Sequence, residues 1–296
     1  MILVTGGTGF VGPKIVHALR AEDHAVRVLA RNPGSKAART AASWGCEIVR
    51  GDMSDAASLR RAAERCDSIV HLVALPPFAA ADAFARVMEQ GTRALVAAAT
   101  EAGVRRFVLM SALGTGEHTK DTSAYFAAKW DEEQAVRASG IDHVIFRPSY
   151  VFGRDGGILE GAVKAVRFSP VVPMPAAERR MQPIWVEDVA AFFAKAVAAD
   201  APTGLFDLVG PDVVTWAELW ERIERVLGKR RANVRMPLGI LRGAAALGQL
   251  LPATRNAPEA VAMFDMDNVG DGERAWATFG LRPIGLTEQI RRAVPA

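Results

Sequence analysis

The chain opens with an apolar run, Met1 to Val4, which leads into the segment Thr5-Gly6-Gly7-Thr8-Gly9-Phe10-Val11-Gly12 and then into a helical pattern. Gly6 permits a tight turn, Gly9 leaves no Cβ between the backbone and a phosphate, and Gly12 lets the helix approach the strand. Free N–H groups at the N-terminus of the helix point towards a bound anion. This order of strand, glycine-rich turn and helix therefore predicts a site for the pyrophosphate of a dinucleotide.

The residues after the glycine-rich turn support that interpretation. Apolar side chains recur on one helical face at Val11, Ile15, Ala18 and Leu19, and a second strand, Ala25 to Ala30, follows at the distance expected for a βαβ unit. A glycine triplet alone is weak evidence, because glycine also serves ordinary turns. Its combination with a strand and a helix favours nucleotide binding.

Strand-like runs alternate with helical patterns along the first half of the chain. Short runs of β-branched or large apolar residues are typical of strands that are buried on both faces. They lie at Cys46–Arg50, Ser68–Val73, Arg105–Met110 and His143–Phe146, with candidate helices between them at Ser54–Glu64, Asp82–Ala102 and Ser123–Ala138. The alternation predicts an α/β fold, a Rossmann doubly wound parallel sheet. We expect residues 1–150 to form the NAD(P)-binding Rossmann domain.

The pattern changes after Arg147-Pro148. Two stretches rich in glycine or proline, Gly153 to Gly157 and Ser169 to Pro175, are predicted to be loops, and helical patterns follow them. With 296 residues, the chain exceeds the size at which a single core usually stops growing. Residues 151–296 are therefore expected to be a mixed region that returns to the sheet and forms a small, mostly helical substrate or lid lobe.

Two side chains are predicted to cap helices. Ser54 is the expected N-cap of the helix that ends near Glu64, with Asp55 in its first turn. Thr215 is followed by Glu218 three residues later, which is the spacing of a capping box.

Charge and cysteine content restrict the partners. The net charge of +3 is small and the basic residues are interspersed with acids, which argues against nucleic acid. Cys46 and Cys66 have no paired spacing and no companion His, so no metal is expected and a reduced, cytoplasmic setting is favoured. Because the first strand is predicted to start at Met1, no signal peptide is expected.

An apolar segment near the C-terminus, residues 236–251, requires separate interpretation. Its run from Leu238 to Leu251 is interrupted by Arg242 and is too short to span a bilayer. Burial in the lid or in a subunit interface is the favoured role, and a weak membrane or quinone contact is the alternative. We expect the protein to be a monomer or a homodimer. We expect its substrate to be an apolar small molecule.

Residues at the ends of the second, third and fourth strands predict the cofactor. Arg31 stands where an NAD site usually carries an acid, and an Arg suits a 2′-phosphate, so NADP(H) is favoured over NAD(H). Asp52, followed by Met53, either reaches the adenine edge or forms a turn. Leu72, Val73 and Ala74 end the fourth strand at the ligand-binding edge, whereas His71 is more readily explained as a packed strand residue than as a base.

Tyr125 and Lys129 form the sharpest candidate for chemistry. Positions four apart share one helical face, so the phenol and the ammonium lie one turn from each other. A nearby cation favours the phenolate and is expected to lower the pKa of the phenol, which suits acid–base work. On spacing alone, such a pair is also common as a structural feature.

Together these residues resemble the short-chain dehydrogenase/reductase superfamily in its extended and atypical branches, which are epimerase- or dehydratase-like. The likeness spans nearly the whole chain, and the motifs stand in the family's order: Thr5 to Gly12, Gly51-Asp52, His71 to Ala74, Gly91-Thr92, Phe107 to Ser111, Tyr125 with Lys129, and Arg147-Pro148-Ser149 with Val151-Phe152-Gly153. Ser111 to Gly114, Ala138 to Asp142 and Gln182 to Val189 look most like bacterial relatives of the NAD(P)-binding accessory subunit of respiratory complex I.

The resemblance implies a Rossmann domain with a small C-terminal substrate domain. It implies that Tyr125 is the acid–base group and that Lys129 lowers the pKa of this tyrosine and binds the nicotinamide ribose. The motifs also place Thr8, Phe10, Val11 and Pro148 among the expected cofactor-binding residues.

The chain departs from the family at two positions. Ala112 aligns with the active-site Ser or Thr, so Ser111 lies one residue early; it is either a catalytic candidate or a structural hydroxyl. Met88 takes the place of the Asn that precedes Gly91-Thr92.

The leading hypothesis is an NADP(H)-dependent oxidoreductase that reduces a carbonyl or conjugated alkene of an apolar small molecule. A non-catalytic NADP(H)-binding structural or redox-sensor protein is an alternative that Ala112 and Met88 suggest. A nucleotide-sugar epimerase or dehydratase is a third, against which Arg31 counts, because those enzymes retain NAD.

Overall fold

The computed structural model describes residues 1–76, 79–237, 239–240, 242–243, 261 and 265–294. The strands are β1 (Ile2–Thr5), β2 (Val26–Ala30), β3 (Glu47–Arg50), β4 (Ser68–His71), β5 (Arg106–Met110), β6 (Asp142–Pro148), β7 (Val151–Phe152), β8 (Val171–Pro175), β9 (Arg180–Met181), β10 (Ile184–Trp185), β11 (Gly204–Leu208), β12 (Val214–Thr215) and β13 (Ala232–Met236). The helices are α1 (Gly12–Ala21), α2 (Lys36–Ser43), α3 (Ala56–Ala63), α4 (Ala81–Ala83), α5 (Gly91–Glu101), α6 (Ala124–Ala138), α7 (Gly157–Phe168), α8 (Val186–Ala196), α9 (Trp216–Leu227), α10 (Glu273–Phe279) and α11 (Leu286–Ala293), and a π-helical segment, Phe84–Gln90, joins α4 to α5.

Seven strands form one sheet in the order β11-β6-β5-β4-β1-β2-β3, and every neighbouring pair is parallel. Parallel neighbours need crossover connections, which the helices between successive strands supply. The strand order reverses between β1 and β4, and ligands of such sheets bind at the carboxyl ends of the strands beside this switch point. The predicted α/β Rossmann fold is confirmed.

Helices cover both faces of the sheet. Successive side chains of a strand point to opposite faces, so Val4 lies in the core beneath α1 and α8, whereas Leu3 lies in the core beneath α3 and α5. Both side chains are fully buried. Strand β1 is therefore apolar on both faces, as its sequence indicates. Strand β3 is not buried on both faces as expected: it lies at the edge of the sheet, and its Glu47 and Arg50 are exposed.

An aromatic cluster joins the later part of the chain to the sheet. Phe206 of β11 lies opposite Phe146 of β6. The ring of Phe146 lies 5.0 Å from that of Phe193 in α8 and 5.5 Å from that of Phe279 in α10. These contacts pack the C-terminal helices against the last two strands of the sheet.

Two of the predicted caps have different outcomes. The Thr215 hydroxyl accepts from the Glu218 N–H, and the Glu218 carboxylate accepts from the Thr215 N–H, so the predicted capping box is confirmed. The N-cap of α3 is Asp55 and not Ser54, because the Asp55 carboxylate accepts from the N–H groups of Ala57 and Ser58. The Ser54 hydroxyl instead donates to Asp52, 2.6 Å away.

The stretch Ser169 to Pro175, predicted to be a loop, contains strand β8. Val171–Pro175 pairs in parallel with β13, whose first residue is Ala232. The partner lies about sixty residues later in the chain, so the stretch alone gives no sign of the pairing.

None of the helices among the described residues is long and apolar enough to cross a membrane. The expectation for residues 236–251 lies largely outside the part of the chain that the structure describes.

Candidate active site

The glycine-rich turn begins where β1 ends. Gly6 has a φ of 76°, and a Cβ at this position would lie 2.8 Å from the carbonyl carbon of Leu72. The Gly9 N–H donates to the Gly6 carbonyl oxygen at 3.1 Å and closes the turn. A Cβ on Gly12 would collide with the backbone of Gly6 and Gly7. The backbone is therefore packed so closely that side chains are excluded at Gly6 and Gly12, which fits the cradle of a pyrophosphate.

Helix α1 begins directly behind this turn. Val11 occupies its N-cap position, and within the described residues no side chain caps the helix there. The first-turn N–H groups of a helix lack intrahelical partners and attract anions. The N-terminus of α1 is thus available to bind an anion at the carboxyl edge of the sheet.

A cleft of about 280 Å³ opens beside the turn. Nine of the predicted cofactor-binding residues lie around it: Gly6, Thr8, Gly9, Arg31, Asp52, Met53, Leu72, Val73 and Ala74. The other five lie elsewhere: Val11 and Gly12 begin α1, Lys129 is buried in α6, Pro148 lines a second cavity, and Phe10 lies against the loop after β7. The Phe10 ring packs against the loop after β7, where a Cβ on Gly156 would lie 2.6 Å from a ring carbon.

Arg31 also borders an adjoining cleft of about 410 Å³, together with Arg50 and Arg61. All three side chains are exposed. Asp52 lies in the same wall, and its carboxylate accepts from the Ser54 hydroxyl and N–H, which holds the pKa of Asp52 below its usual value. Asp52 thus forms the turn that was one of its two predicted roles, and it also lines the cleft. Arg50 and Arg61 were not predicted from the sequence, because an exposed arginine at the end of a strand or on a helix is common and gives no sign of a binding site.

Tyr125 lies in the first turn of α6, which Ser123 caps by accepting from the Phe126 N–H at 3.2 Å. Tyr125 makes edge contacts with the rings of Phe84 and Phe126, with centroids 6.2 and 5.6 Å away. It lines a cavity of about 120 Å³ together with Ala112, Leu113, Gly114, Phe126, Pro148, Ser149, Tyr150, Met266, Asp267 and Asn268. A phenol therefore faces a small, partly apolar chamber near the carboxyl edge of the sheet.

The pKa of Tyr125 is raised and not lowered as the sequence suggests. Burial of the phenol raises its pKa, the Lys129 ammonium lowers it, and the Glu132 carboxylate raises it again. The sequence shows the Lys129 ammonium but not the burial of the phenol, which is the largest cause of the raised pKa, nor the nearby Glu132 carboxylate.

Lys129 is almost completely buried and is held by two acceptors. Its Nζ donates to the Met110 carbonyl oxygen and to Glu132 Oε2, each at 2.9 Å. Burial alone would lower the pKa of Lys129, but the Glu132 carboxylate, with smaller contributions from Tyr125 and Glu133, raises it overall. The lysine is therefore held as an ammonium.

Ser111 lies on the other side of the strand end, as predicted for a residue one position before Ala112. Its hydroxyl donates to Glu133 Oε1 at 2.6 Å, and Arg147 binds the same carboxylate through two bonds of 2.7 Å. Ala112, and not Ser111, lines the cavity with Tyr125. Ser111 and Tyr125 are thus not brought together around this cavity.

Met88 occupies the π-helical segment, fully buried, and accepts from the Leu75 N–H through its sulfur at 3.5 Å. Its side chain packs in a cluster that Tyr125 also contacts. The position therefore supplies apolar support to the phenol.

Three residues at the site were missed in the sequence: Glu132, Tyr150 and Asn268. Asn268 Oδ1 accepts from the Ser149 hydroxyl at 2.6 Å and from the Tyr150 N–H at 3.3 Å. These bonds hold Ser149 and Tyr150 in place in the wall of the cavity. Burial raises the pKa of Tyr150 to about 12, with a smaller contribution from Tyr125. Glu132 lies three positions after Lys129, and this helical spacing was the available signal.

The glycine-rich turn, the cleft at the switch point and the Tyr125–Lys129 helix are features of a nucleotide-binding Rossmann protein. A family model described as NAD(P)H-binding matches residues 6–200, more than half of the chain. The chain belongs to this family, and its relatives identify it as an atypical short-chain dehydrogenase/reductase.

Several known proteins are similar to this chain. Ceramide reductase of Caulobacter vibrioides is 32% identical over 261 residues, which cover 87% of this chain and 80% of that protein. The 40 kDa mitochondrial subunit of NADH-ubiquinone oxidoreductase from Neurospora crassa is 24% identical and covers 82% of this chain and 64% of its own length. The NADPH complex of an Escherichia coli quinone oxidoreductase has a TM-score of 0.76 at 19% identity, over 98% of both chains. The relatives thus include reductases and the complex I subunit whose likeness the sequence indicates.

Proposed function

We propose that this chain is an NADP(H)-dependent oxidoreductase that reduces a carbonyl or conjugated alkene of an apolar small molecule, with Tyr125 as its acid–base group. The observation that carries the proposal is the position of Tyr125 in the wall of the 120 Å³ cavity, one helical turn from Lys129. This cavity opens at the sheet edge where Rossmann folds bind their ligands.

A bound NADPH supplies the hydride. Tyr125 donates its proton to the carbonyl oxygen, so that a carbonyl becomes an alcohol with charge balanced. The raised pKa of Tyr125 keeps the phenol protonated beforehand, as a proton donor requires. The Lys129 ammonium then stabilises the phenolate that remains.

The preference for NADP(H) is supported by charge around the adjoining cleft. Arg31 borders both clefts, and Arg50 and Arg61 stand around the 410 Å³ space beyond it. Guanidinium groups bind phosphate oxygens through charge-assisted hydrogen bonds, often in pairs. A 2′-phosphate placed there is favoured over a bare ribose.

An apolar substrate is supported by the cavity wall. Leu113, Phe126, Pro148 and Met266 supply apolar surface around the phenol. Ceramide reductase, a 32% identical relative, is named for a lipid substrate. We therefore infer a ketone or enone with alkyl character as the substrate class.

The test is NADPH consumption by the purified protein in the presence of long-chain ketones, quinones and enals. With a substrate so identified, Tyr125→Phe should lower kcat by about 100-fold or more while the NADPH dissociation constant changes by less than about twofold. Equal turnover by Tyr125→Phe would show that the phenol has no catalytic role.

A non-catalytic NADP(H)-binding structural or redox-sensor protein is the second candidate. One observation favours it: Ala112 lines the cavity where the family's hydroxyl is expected, while the Ser111 hydroxyl is bound to Glu133. Tight NADPH binding without turnover of any compound in the panel supports this candidate. Turnover that Tyr125→Phe abolishes excludes it.

A further inference from the structure

A continuous buried chain of hydrogen bonds runs from the glycine-rich turn to Lys129. Thr5, the last residue of β1, places Oγ1 2.5 Å from His71 Nδ1, and His71 Nε2 lies 2.8 Å from Thr92 Oγ1. The Thr92 hydroxyl donates to Glu132 Oε1 at 3.1 Å, and Glu132 Oε2 accepts from Lys129 at 2.9 Å. Each of these five side chains is 1% exposed or less.

The direction of the bonds follows from the chemistry of each group. A threonine hydroxyl has one proton, and Thr92 gives its proton to the carboxylate, so it accepts from the Nε2–H of His71. Both carboxylate oxygens of Glu132 are thereby bound, one by Thr92 and one by Lys129. A carboxylate that is anchored at both oxygens has a fixed position.

We propose that Glu132 is a positioning residue that fixes the Lys129 ammonium beside Tyr125, and that Thr92 and His71 hold Glu132 in place. The effect of Glu132 on catalysis rests on the proposed function. Its effect on the position and charge of Lys129 does not depend on that function.

An ammonium has three N–H donors, and the Met110 carbonyl and Glu132 take two of those on Lys129. The proposal assigns the third donor to the Tyr125 oxygen or to the ribose of the bound dinucleotide. Without Glu132, the buried ammonium loses one of its acceptors and its counter-charge. Lys129 would then rotate, or would lose its proton at a lower pH.

Several other titratable groups lie close enough to affect the pair. On α6 these are Tyr125 and Glu133, on β4 it is His71, and on the π-helical segment it is Glu89. From β5 the neutral Met110 carbonyl faces the ammonium. Glu132 is the only carboxylate among the described residues within salt-bridge distance of Lys129, so it controls the charge of this lysine.

The test measures the titration of Lys129 directly, in protein without nucleotide, by NMR of 13Cε-labelled lysine with the resonance assigned through Lys129→Arg. In Glu132→Gln we expect Lys129 to titrate at least about one pH unit lower than in the unaltered protein. The alkaline limb of the kcat profile should move in the same direction. A titration within about 0.3 pH unit of the unaltered protein overturns the inference.

Glu133→Gln is the matched control, because Glu133 is the next residue and equally buried but is bound by Arg147 and Ser111. It should shift the titration of Lys129 less than Glu132→Gln does. An equal or larger shift contradicts the specific role of Glu132.

Thr92 provides a second test if Glu132→Gln does not fold. Thr92→Val removes the bond to Glu132 at nearly constant volume and should shift the titration of Lys129 in the same direction, by a smaller amount, whereas Thr92→Ser should restore it. No difference between the two variants contradicts the inference. Because these readouts need no substrate, they remain decisive if no turnover is found.

Discussion

Arg106 lies buried beneath the end of α8, where its Nε donates to the carbonyl oxygen of Ala196 at 2.9 Å. Its Nη2 donates to the carbonyl oxygens of Ala201 and Pro202, at 2.8 and 2.7 Å. A cation suits the carbonyl-rich end of a helix. Arg106 therefore fixes the segment that connects α8 to β11, and with it the edge of the sheet.

We predict that Arg106→Met lowers the free energy of unfolding by about 2–4 kcal/mol, because three carbonyl oxygens lose a charged donor. Urea denaturation measures the loss. Arg105→Met is the matched control: its neighbouring guanidinium is exposed and pairs with Asp67 at the surface, so we expect a change below about 0.5 kcal/mol. Equal losses for both variants would show that the carbonyl contacts contribute little.

The three arginines of the adjoining cleft give a prediction about cofactor choice. Arg31→Ala should weaken NADPH binding by about tenfold or more and leave NADH binding within about twofold, because only NADPH carries the 2′-phosphate. Fluorescence titration with both nucleotides measures the two affinities. Loss of both affinities together would indicate a role other than 2′-phosphate recognition.

Helix α3 offers a matched pair for the same question. Arg61 borders the cleft, whereas the preceding Arg60 pairs with Glu101 at 2.9 Å. Arg61→Ala should weaken NADPH binding by about threefold, more at low salt than at high salt, and Arg60→Ala should leave it unchanged. The reverse order would place the phosphate elsewhere.

Two glycines should respond oppositely to the same substitution. Gly12→Ala adds a Cβ against the Gly6–Gly7 backbone, so nucleotide binding should be lost and stability reduced. Gly161→Ala lies in α7 where a Cβ meets open space, and should raise the free energy of unfolding by about 0.5–1 kcal/mol. Nucleotide titration and thermal unfolding of both variants measure the contrast; normal binding by Gly12→Ala is incompatible with the cradle.

Asp188 predicts a pH dependence of stability. Burial raises its pKa to about 6, although its carboxylate accepts from the Ile284 N–H at 3.0 Å. Because the folded-state pKa exceeds the unfolded value of 3.8, the protonated form is favoured by folding. The corresponding stability is present below about pH 4 and is lost as the pH rises through about 6.

Asp188→Asn keeps an acceptor for the Ile284 N–H and removes this titration. The free energy of unfolding of the variant, relative to that of the unaltered protein, should therefore rise by about 1 kcal/mol between pH 4 and pH 8. This figure is reduced for the partial solvent exposure of Asp188. Denaturant unfolding across that range gives the difference. Glu187→Gln, at a half-exposed position paired with Lys14, is the control and should show a weaker trend. A stability difference that does not change with pH contradicts the prediction.

The sequence was most informative where one residue type satisfies a local geometric demand. Gly6 and Gly12 are needed where the backbone segments touch, and Thr215 with Glu218 forms a cap within four residues. The pattern of apolar residues then placed six of the seven strands of the central sheet, β1 to β6. These features depend on neighbours in sequence, so they can be predicted without the tertiary structure.

The parts that escaped prediction depend on distant contacts. Strand β8 forms only because β13 reaches it from about sixty residues away. Glu132 and Glu133 are acidic residues in succession, yet both are fully buried, against Lys129 and Arg147. The pKa of Tyr125 was expected to fall, but burial of the phenol, which depends on the tertiary structure, raises it.

The position of β11 has a consequence for synthesis. Val144, Ile145 and Phe146 of β6 gain their outer neighbour only when residues 204–208 are available. A nascent chain that has not yet emerged that far presents an apolar, unpaired edge, which is prone to adding foreign strands. The central sheet is thus completed by a strand from the second half of the chain, and a fragment that ends at residue 150 should aggregate.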